Sequence, residues 1–306
     1  MNKRGLLNVL IFVVALYAGF LIAKIGWNTS TNTPDAVKVP VVQVLPLLEN
    51  LELETIDEIS FWQDEDRLAP SMRLLDIGEG YHGDEVPAKN GDEWLGLFRG
   101  NDGYLIKPTT LQIKLVHDPI VDGDENIRTG KSVSVLGSNR PLFLVKGGKS
   151  VRPGTAATFC RGLMDDDENE LRSRDITAYN GFTVLDKEYR DSFTTANKQE
   201  YELKVIKAKN PDGQRILALS LESMGVRQIL YTVRTWDEYP SSRAPEWSGQ
   251  VGRLFWVGDI DRDGKPDFYM ELTGHENSVW KALFLSSEAA KGDHVKLSAE
   301  FVITGC

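Results

Sequence analysis

The chain has 306 residues, 41% hydrophobic and 26% charged, which is ordinary globular composition and enough for a sizeable core in one or two domains. Its formal net charge is −10 at pH 7, and it contains no run rich in lysine and arginine. Because nucleic acid binding needs a basic patch for the phosphates, we expect no nucleic acid partner.

The N-terminus predicts a membrane anchor. Lys3 and Arg4 precede the uncharged apolar run Gly5 to Ala23, and Lys24 closes it. This run is close to the roughly 20 residues that a helix needs to cross the hydrocarbon, and no convincing cleavage site follows. We therefore expect an uncleaved signal anchor over residues 1–26, with the basic end in the cytoplasm. The alternative is a cleaved signal peptide, which leaves the body free after export.

Residues 27–40 are rich in Ser, Thr, Asn and Pro and predict a flexible tether. Beyond them the apolar pattern has mostly a period of two, which is typical of β-strands. The clearest predicted strands are 110–116, 132–136, 141–145, 201–208, 215–221, 228–233 and 299–303. Residues 47–62 and 165–175 are the best helix candidates, with a poor helical period. We predict a mainly β, antiparallel, sandwich-like body, because the connections are too short for parallel crossovers.

The glycine- and proline-containing stretch Gly147 to Gly154 marks a weak boundary between two strand-rich halves. The predicted halves are residues 41–150 and 151–306. Long loops within a β-sandwich have the same composition, so one domain remains open.

Acidic residues are concentrated in VGDIDRDGKPDFYMEL, residues 257–272. Asp259, Asp261, Asp263 and Asp267 occupy positions 1, 3, 5 and 9 of a loop, and Gly264 occupies position 6. Calcium binds about 6–8 oxygen atoms, and alternate side chains of a tightly curled loop can converge on it where glycine permits the turn. The spacing therefore predicts a calcium site.

An EF-hand is excluded, because position 12 holds Met270 where a bidentate glutamate is required, and strands flank the loop. The pattern strand, DxDxDGxxD, strand resembles the calcium loops of FG-GAP and VCBS repeats. The resemblance implies calcium bound by Asp259, Asp261, Asp263, the Lys265 carbonyl and Asp267. It covers one short loop, whereas a propeller needs about 4–8 blades, so a propeller is not expected.

The wider segment from Phe255 to Ser287 resembles the C-terminal part of uncharacterised exported proteins of Gram-negative bacteria. The resemblance, together with the anchor, implies a single-pass protein of the bacterial inner membrane with its body in the periplasm. Cleavage of the signal would instead give a secreted or periplasmic protein. In an oxidising compartment, Cys160 and Cys306 are candidates for a disulfide that pins the chain end, or for two free thiols.

Two further acidic segments, His117 to Asn126 and Asp165 to Glu170, lack the ligand period and are expected to be solvated. Trp236, Tyr239 and Trp247 lie in a turn-rich loop and can either pack in the core or stack on a sugar or protein.

No catalytic motif occurs, and we predict no catalytic residues. Two hypotheses follow. The first is a binding module of the cell envelope, tethered to the membrane, stabilised by calcium, and recognising an envelope protein or glycan. The second is an envelope hydrolase acting on a sugar polymer with a structural calcium, because a pair of catalytic carboxylates can lie far apart in sequence.

Overall fold

A computed structural model describes residues 53–59, 70–100, 103–124, 126–137, 139–159, 182–183, 190–234, 253–272 and 278–304. The chain divides into two compact units, Met1–Leu51 and Glu52–Cys306, and all of these residues belong to the second. The predicted signal anchor, the tether, both cysteines, the helix candidate at 165–175 with its acidic run, and the aromatic loop at 236–247 lie outside the described residues. Among the residues described, no helix has the length and apolarity needed to cross a membrane.

The described residues form sixteen β-strands and no helix. The strands are β1 Met72–Leu75, β2 Gly78–Tyr81, β3 Glu93–Gly100, β4 Gly103–Val116, β5 Gly130–Val135, β6 Phe143–Gly147, β7 Gly154–Thr158, β8 Phe182–Thr183, β9 Arg190–Thr194, β10 Glu200–Lys209, β11 Arg215–Ser223, β12 Val226–Arg234, β13 Arg253–Asp259, β14 Asp267–Glu271, β15 Ser278–Leu285 and β16 Lys296–Thr304. All their ladders are antiparallel, so the prediction of a mainly β, antiparallel body is confirmed.

The larger sheet has the strand order β1-β6-β3-β4-β7-β13-β14-β15-β16. Strand β1 lies alongside β16, so the sheet curls around its own core. That core takes Leu74 and Phe143 from early strands and Tyr269 and Phe301 from late ones. Because β7 pairs with β4 on one side and β13 on the other, the sheet continues across residue 150.

A second sheet, in the order β12-β11-β10-β9, packs on the outer side of β14, β15 and β16. Leu203 and Leu219 from this sheet share a core with Phe268 and Trp280 of the larger sheet. Strand β14 is therefore covered on both faces, which explains why four consecutive residues of DFYME are buried.

The predicted helix at 47–62 is wrong over residues 53–59, which form no helix. The Ile56 amide donates to the Lys209 carbonyl at 2.8 Å, and the Ile56 side chain packs on Ala208, Ile216 and Ala218 of the small sheet. The segment therefore covers part of the face of the small sheet that is turned away from β14. Its apolar spacing was too irregular to distinguish a helix from such an extended strip.

We expect Leu219→Ala to lower the free energy of unfolding by about 3 kcal/mol, because it opens a cavity between the two sheets. Leu219 is fully buried, whereas Met224, in the turn directly after the same strand, is 80% exposed. Met224→Ala is therefore the matched control and should change stability by less than about 0.5 kcal/mol. Urea denaturation measures both, and equal small effects would contradict the packing of the small sheet on the large one.

Candidate metal centre

The acidic loop joins β13 to β14, as the sequence predicted. Gly258 pairs with Asp267, and residues 260–266 form the loop between Asp259 at the end of β13 and Asp267 at the start of β14, which closes a hairpin. Two residues have left-handed backbone, Arg262 with φ 66° and Gly264 with φ 85°. Only glycine adopts this conformation without steric cost, which accounts for Gly264 at the sharp turn.

Asp259 organises the turn. Its side chain is buried, and its Oδ1 and Oδ2 accept the backbone amides of Asp263 and Gly264 at 3.0 and 2.9 Å. These bonds hold the loop in a tight curl that brings alternate side chains toward one side. The local fold thus follows from the placement of the aspartates and the glycine.

Asp267 is the most enclosed member, with none of its surface exposed. Its Oδ2 accepts the Ile260 amide at 2.7 Å, and its Oδ1 accepts the Ser286 amide at 2.8 Å. The Ser286 hydroxyl lies 3.0 Å from the same Oδ1. One carboxylate therefore connects the start of the loop to the end of β15.

Asp261 completes the cluster. Its Oδ1 accepts the Asp263 amide at 3.2 Å, while its Oδ2 is enclosed and has no hydrogen-bond partner among the described residues. A buried carboxylate oxygen without a partner is costly, and a cation is one way to satisfy it. This atom is the observation that fits a metal at the loop.

Carboxylate oxygens of Asp259, Asp261 and Asp267 lie within 4.8 Å of one another. This separation allows one ion to contact all three, so the cluster can bind a metal ion. All three donors are hard oxygens, the ligand type that Ca²⁺, Mg²⁺ and Mn²⁺ prefer.

The other two predicted ligands differ in position. Asp263 is exposed and lies outside this group of three, and its Oδ1 lies 3.0 Å from the Ser286 hydroxyl and 2.8 Å from the Lys265 amide nitrogen. Lys265 is exposed, as expected for a residue that offers only its carbonyl. Coordination by Asp263 and by the Lys265 carbonyl stays a prediction.

Burial raises the pKa of Asp267 well above its ordinary value of 3.8, and the Asp261 charge acts in the same direction. Burial also raises the pKa of Asp261, a hydrogen bond with the Ser287 side chain opposes this shift, and the charges of Asp263 and Asp259 add to it. Both shifts have the physical origin expected where carboxylates are packed together without a counter-charge.

Sequence reasoning missed the contacts from outside the loop. Ser286 follows β15 and contacts both Asp263 and Asp267, while the Arg262 guanidinium donates to the carbonyls of Arg152 and Pro153 at 3.0 Å. Gly264 lies against the Asn197 side chain between β9 and β10. These partners are distant in sequence and carry no motif, so no signal in the chain identified them.

The acidic segment His117 to Asn126 is not simply solvated. Asp118 and Asp122 are 1% and 6% exposed. The His82 Nδ1 lies 2.6 Å from the Asp118 Oδ2, and this hydrogen bond lowers the pKa of Asp118 and raises that of His82. The expectation of a fully solvated turn is wrong for these two carboxylates, because a histidine distant in sequence and nearby backbone amides satisfy them.

Comparisons of the chain with protein-family models, with curated proteins and with solved structures found no match.

We expect Asp267→Asn to destabilise the protein by about 1–3 kcal/mol even in chelator. The change is nearly isosteric, but it places an NH₂ donor opposite either the Ile260 amide or the Ser286 donors. Chemical denaturation measures the loss, with Asp212→Asn in the exposed turn after β10 as the control. A stability equal to that of the wild type would show that Asp267 does not bear these hydrogen bonds.

The raised pKa values predict a pH dependence of the metal-free protein. An acid whose folded pKa lies above its unfolded value binds more protons when folded, so stability falls as pH rises from about 3.8 through the folded pKa. In chelator, we expect Asp261→Asn to be more stable than the wild type near neutral pH, because it removes the cost of a buried charge. In acid, where Asp261 is protonated, this gain should be absent. Thermal melts of both proteins across pH measure the difference, and a difference independent of pH would refute the shift at Asp261.

Proposed function

We propose that this chain is a calcium-binding β-protein of the bacterial cell envelope, held at the inner membrane by its N-terminal anchor with its body in the periplasm. In this proposal the body is a binding module for an envelope protein or glycan. The observation that carries the calcium assignment is the convergence of Asp259, Asp261 and Asp267 around an enclosed, unpartnered carboxylate oxygen.

The donor set favours calcium. Zinc prefers imidazole and thiolate ligands, and the cluster has neither. Magnesium demands near-ideal octahedral geometry and keeps several waters, whereas calcium accepts an irregular cage of 6–8 oxygens. Asp263, the Lys265 carbonyl and water are available to complete such a cage. The sequence resemblance to FG-GAP and VCBS loops supports the same ion.

The role of the ion is structural. It offsets the repulsion among carboxylates that are removed from water and attached to both strands of the β13–β14 hairpin. The same loop contacts Ser286 after β15, the carbonyls of Arg152 and Pro153 before β7, and Asn197 of the small sheet. Calcium therefore stabilises the position of the β13–β14 loop against the neighbouring strands and connections that it contacts. It need not take part in any reaction.

The groove between β2 and β5 bears on the choice between binding and hydrolysis. Its volume is about 410 Å³, and it is lined by Ile77, Gly78, Glu79, Ser132, Val133, Ser134, Val135, Gly137, Asn139 and Arg140. Hydrolysis of a sugar polymer needs two carboxylates about 5–10 Å apart, and this lining contributes only Glu79. Within this groove the lining therefore does not provide the carboxylate pair that the hydrolase alternative requires.

The test is the melting temperature of the full chain in detergent with calcium and with excess chelator. A ligand at a hundred times its Kd stabilises the folded state by about 2.7 kcal/mol, so calcium should raise the midpoint by about 5 °C. We expect Asp261→Asn to abolish this rise, Asp212→Asn to retain it, and magnesium to give a smaller one.

If chelator leaves the wild-type midpoint unchanged, or if Asp261→Asn responds to calcium as the wild type does, the calcium site is refuted. If zinc or manganese binds more tightly than calcium, the cluster is still a metal centre, but calcium is not its ion.

A further inference from the structure

The connection between β4 and β5 exposes aliphatic side chains to solvent. Ile120 is 50% exposed, Val121 62% and Ile127 48%, and Leu115 near the end of β4 is 61% exposed. These four residues are called the apolar tip. Single exposed apolar residues are ordinary, but four within thirteen positions of one hairpin connection suggest an interaction surface.

The apolar tip is held in place by a buried carboxylate. Asp118 is 1% exposed, and its Oδ1 accepts the amides of Ile120 and Val121 at 3.0 and 3.2 Å. Its Oδ2 lies 2.6 Å from the Nδ1 of His82, which follows β2. The backbone beneath the two exposed side chains is therefore fixed to a neighbouring strand.

Asp122 fixes the other side of the connection. Its Oδ2 accepts the Asp118 and Thr129 amides at 2.8 and 3.0 Å, and its Oδ1 accepts the Thr129 hydroxyl at 2.5 Å. The exposed side chains thus sit on an ordered frame. A surface that is ordered before binding loses little conformational entropy when it docks.

We propose that the apolar tip docks into the surface of a lipid bilayer. This inference rests on the N-terminal anchor of the proposed function, which keeps a bilayer close to the body. Residues 24–52 connect the apolar run to the described residues, and an extended chain of that length reaches about 95 Å at most. The apolar tip is expected to hold the body at the bilayer by its own affinity, and the tether strengthens this docking by making it intramolecular.

The side-chain chemistry favours lipid over protein. Energetic hot spots of protein interfaces are enriched in Trp, Tyr and Arg, with Leu and Val under-represented, and the apolar tip contains only Leu, Ile and Val. Exposed Lys114 and Arg128 flank it and can contact lipid phosphates. Exposed Asp124 opposes attraction to anionic lipid, so burial of apolar surface in a neutral bilayer is the expected driving force.

The experiment uses the full chain in phosphatidylcholine vesicles, with a specific protease site inserted after Thr33. Vesicles are floated before and after cleavage, and the fraction of the released body that floats is measured. The test variant is Ile120→Ser, Val121→Ser, Ile127→Ser. The matched control is Leu136→Ser, Met224→Ser, because these residues are 66% and 80% exposed outside the β4–β5 connection.

We expect the cleaved wild-type body and the control to remain with the vesicles. The triple variant should partition into them about tenfold less, because it loses most of the apolar area available for burial. All three bodies should melt at the same temperature, since the substituted side chains are exposed.

Release of every body on cleavage, while the uncut chains float, would overturn docking by the tip and leave the anchor standing. Equal flotation of the cleaved triple variant and wild type would also overturn it. Binding only to native membrane vesicles, abolished by protease treatment of those vesicles, would assign the tip to a protein and overturn the lipid proposal. If the uncut wild type and control float and the uncut triple variant does not, the tip holds the chain on the vesicles and the N-terminal run does not. This result would refute the anchor and support docking by the tip.

Discussion

The buried carboxylate of Asp267 is the interaction on which the acidic loop and its surroundings depend. It has no exposed surface, yet the Ile260 amide of the loop and the amide and hydroxyl of Ser286 after β15 donate to it. Removing a carboxylate from water is expensive, and these three donors offset only part of that cost. The remaining charge must be neutralised by a proton or by a cation. The loop is therefore a place where either a proton or a metal ion can be bound.

Strand β14 transmits this local constraint to the rest of the molecule. It begins at Asp267, and its next residues face alternate sides: Phe268 and Met270 enter the core shared with the small sheet, and Tyr269 enters the core of the large sheet. A shift of Asp267 would move side chains in both cores, because interiors packed to this density do not deform smoothly. The geometry of the acidic loop and the packing of the two sheets are thus linked through one short strand.

The sequence predicted the strands with alternating patterns, including β10, β11 and β12, and both strands around the acidic loop. It missed the apolar strands β1, β3 and β15, because continuous apolar runs do not distinguish strands from buried helices. It also missed the short strands β2, β7, β8 and β9, which have no clear alternation of apolar residues. At the site, the ligand spacing identified Asp259, Asp261 and Asp267 because curling of the chain within nine residues brings them together. The contact of Ser286 with Asp267 and the contact of Arg262 with the carbonyls before β7 form only through tertiary pairing, which has no local signal. The same limit applies to His82, whose partner Asp118 lies on another element.

The closure of the large sheet has a consequence for biosynthesis. Leu74 near the start and Phe301 near the end of the described chain belong to one core, and β1 lies alongside β16. A chain that emerges from its N-terminus must therefore keep the apolar faces of β1 to β6 uncovered until the last strands are made. Contacts of such long sequence separation slow folding and prolong exposure to aggregation. The topology therefore makes the nascent strands the part of the chain that chaperone binding would protect most.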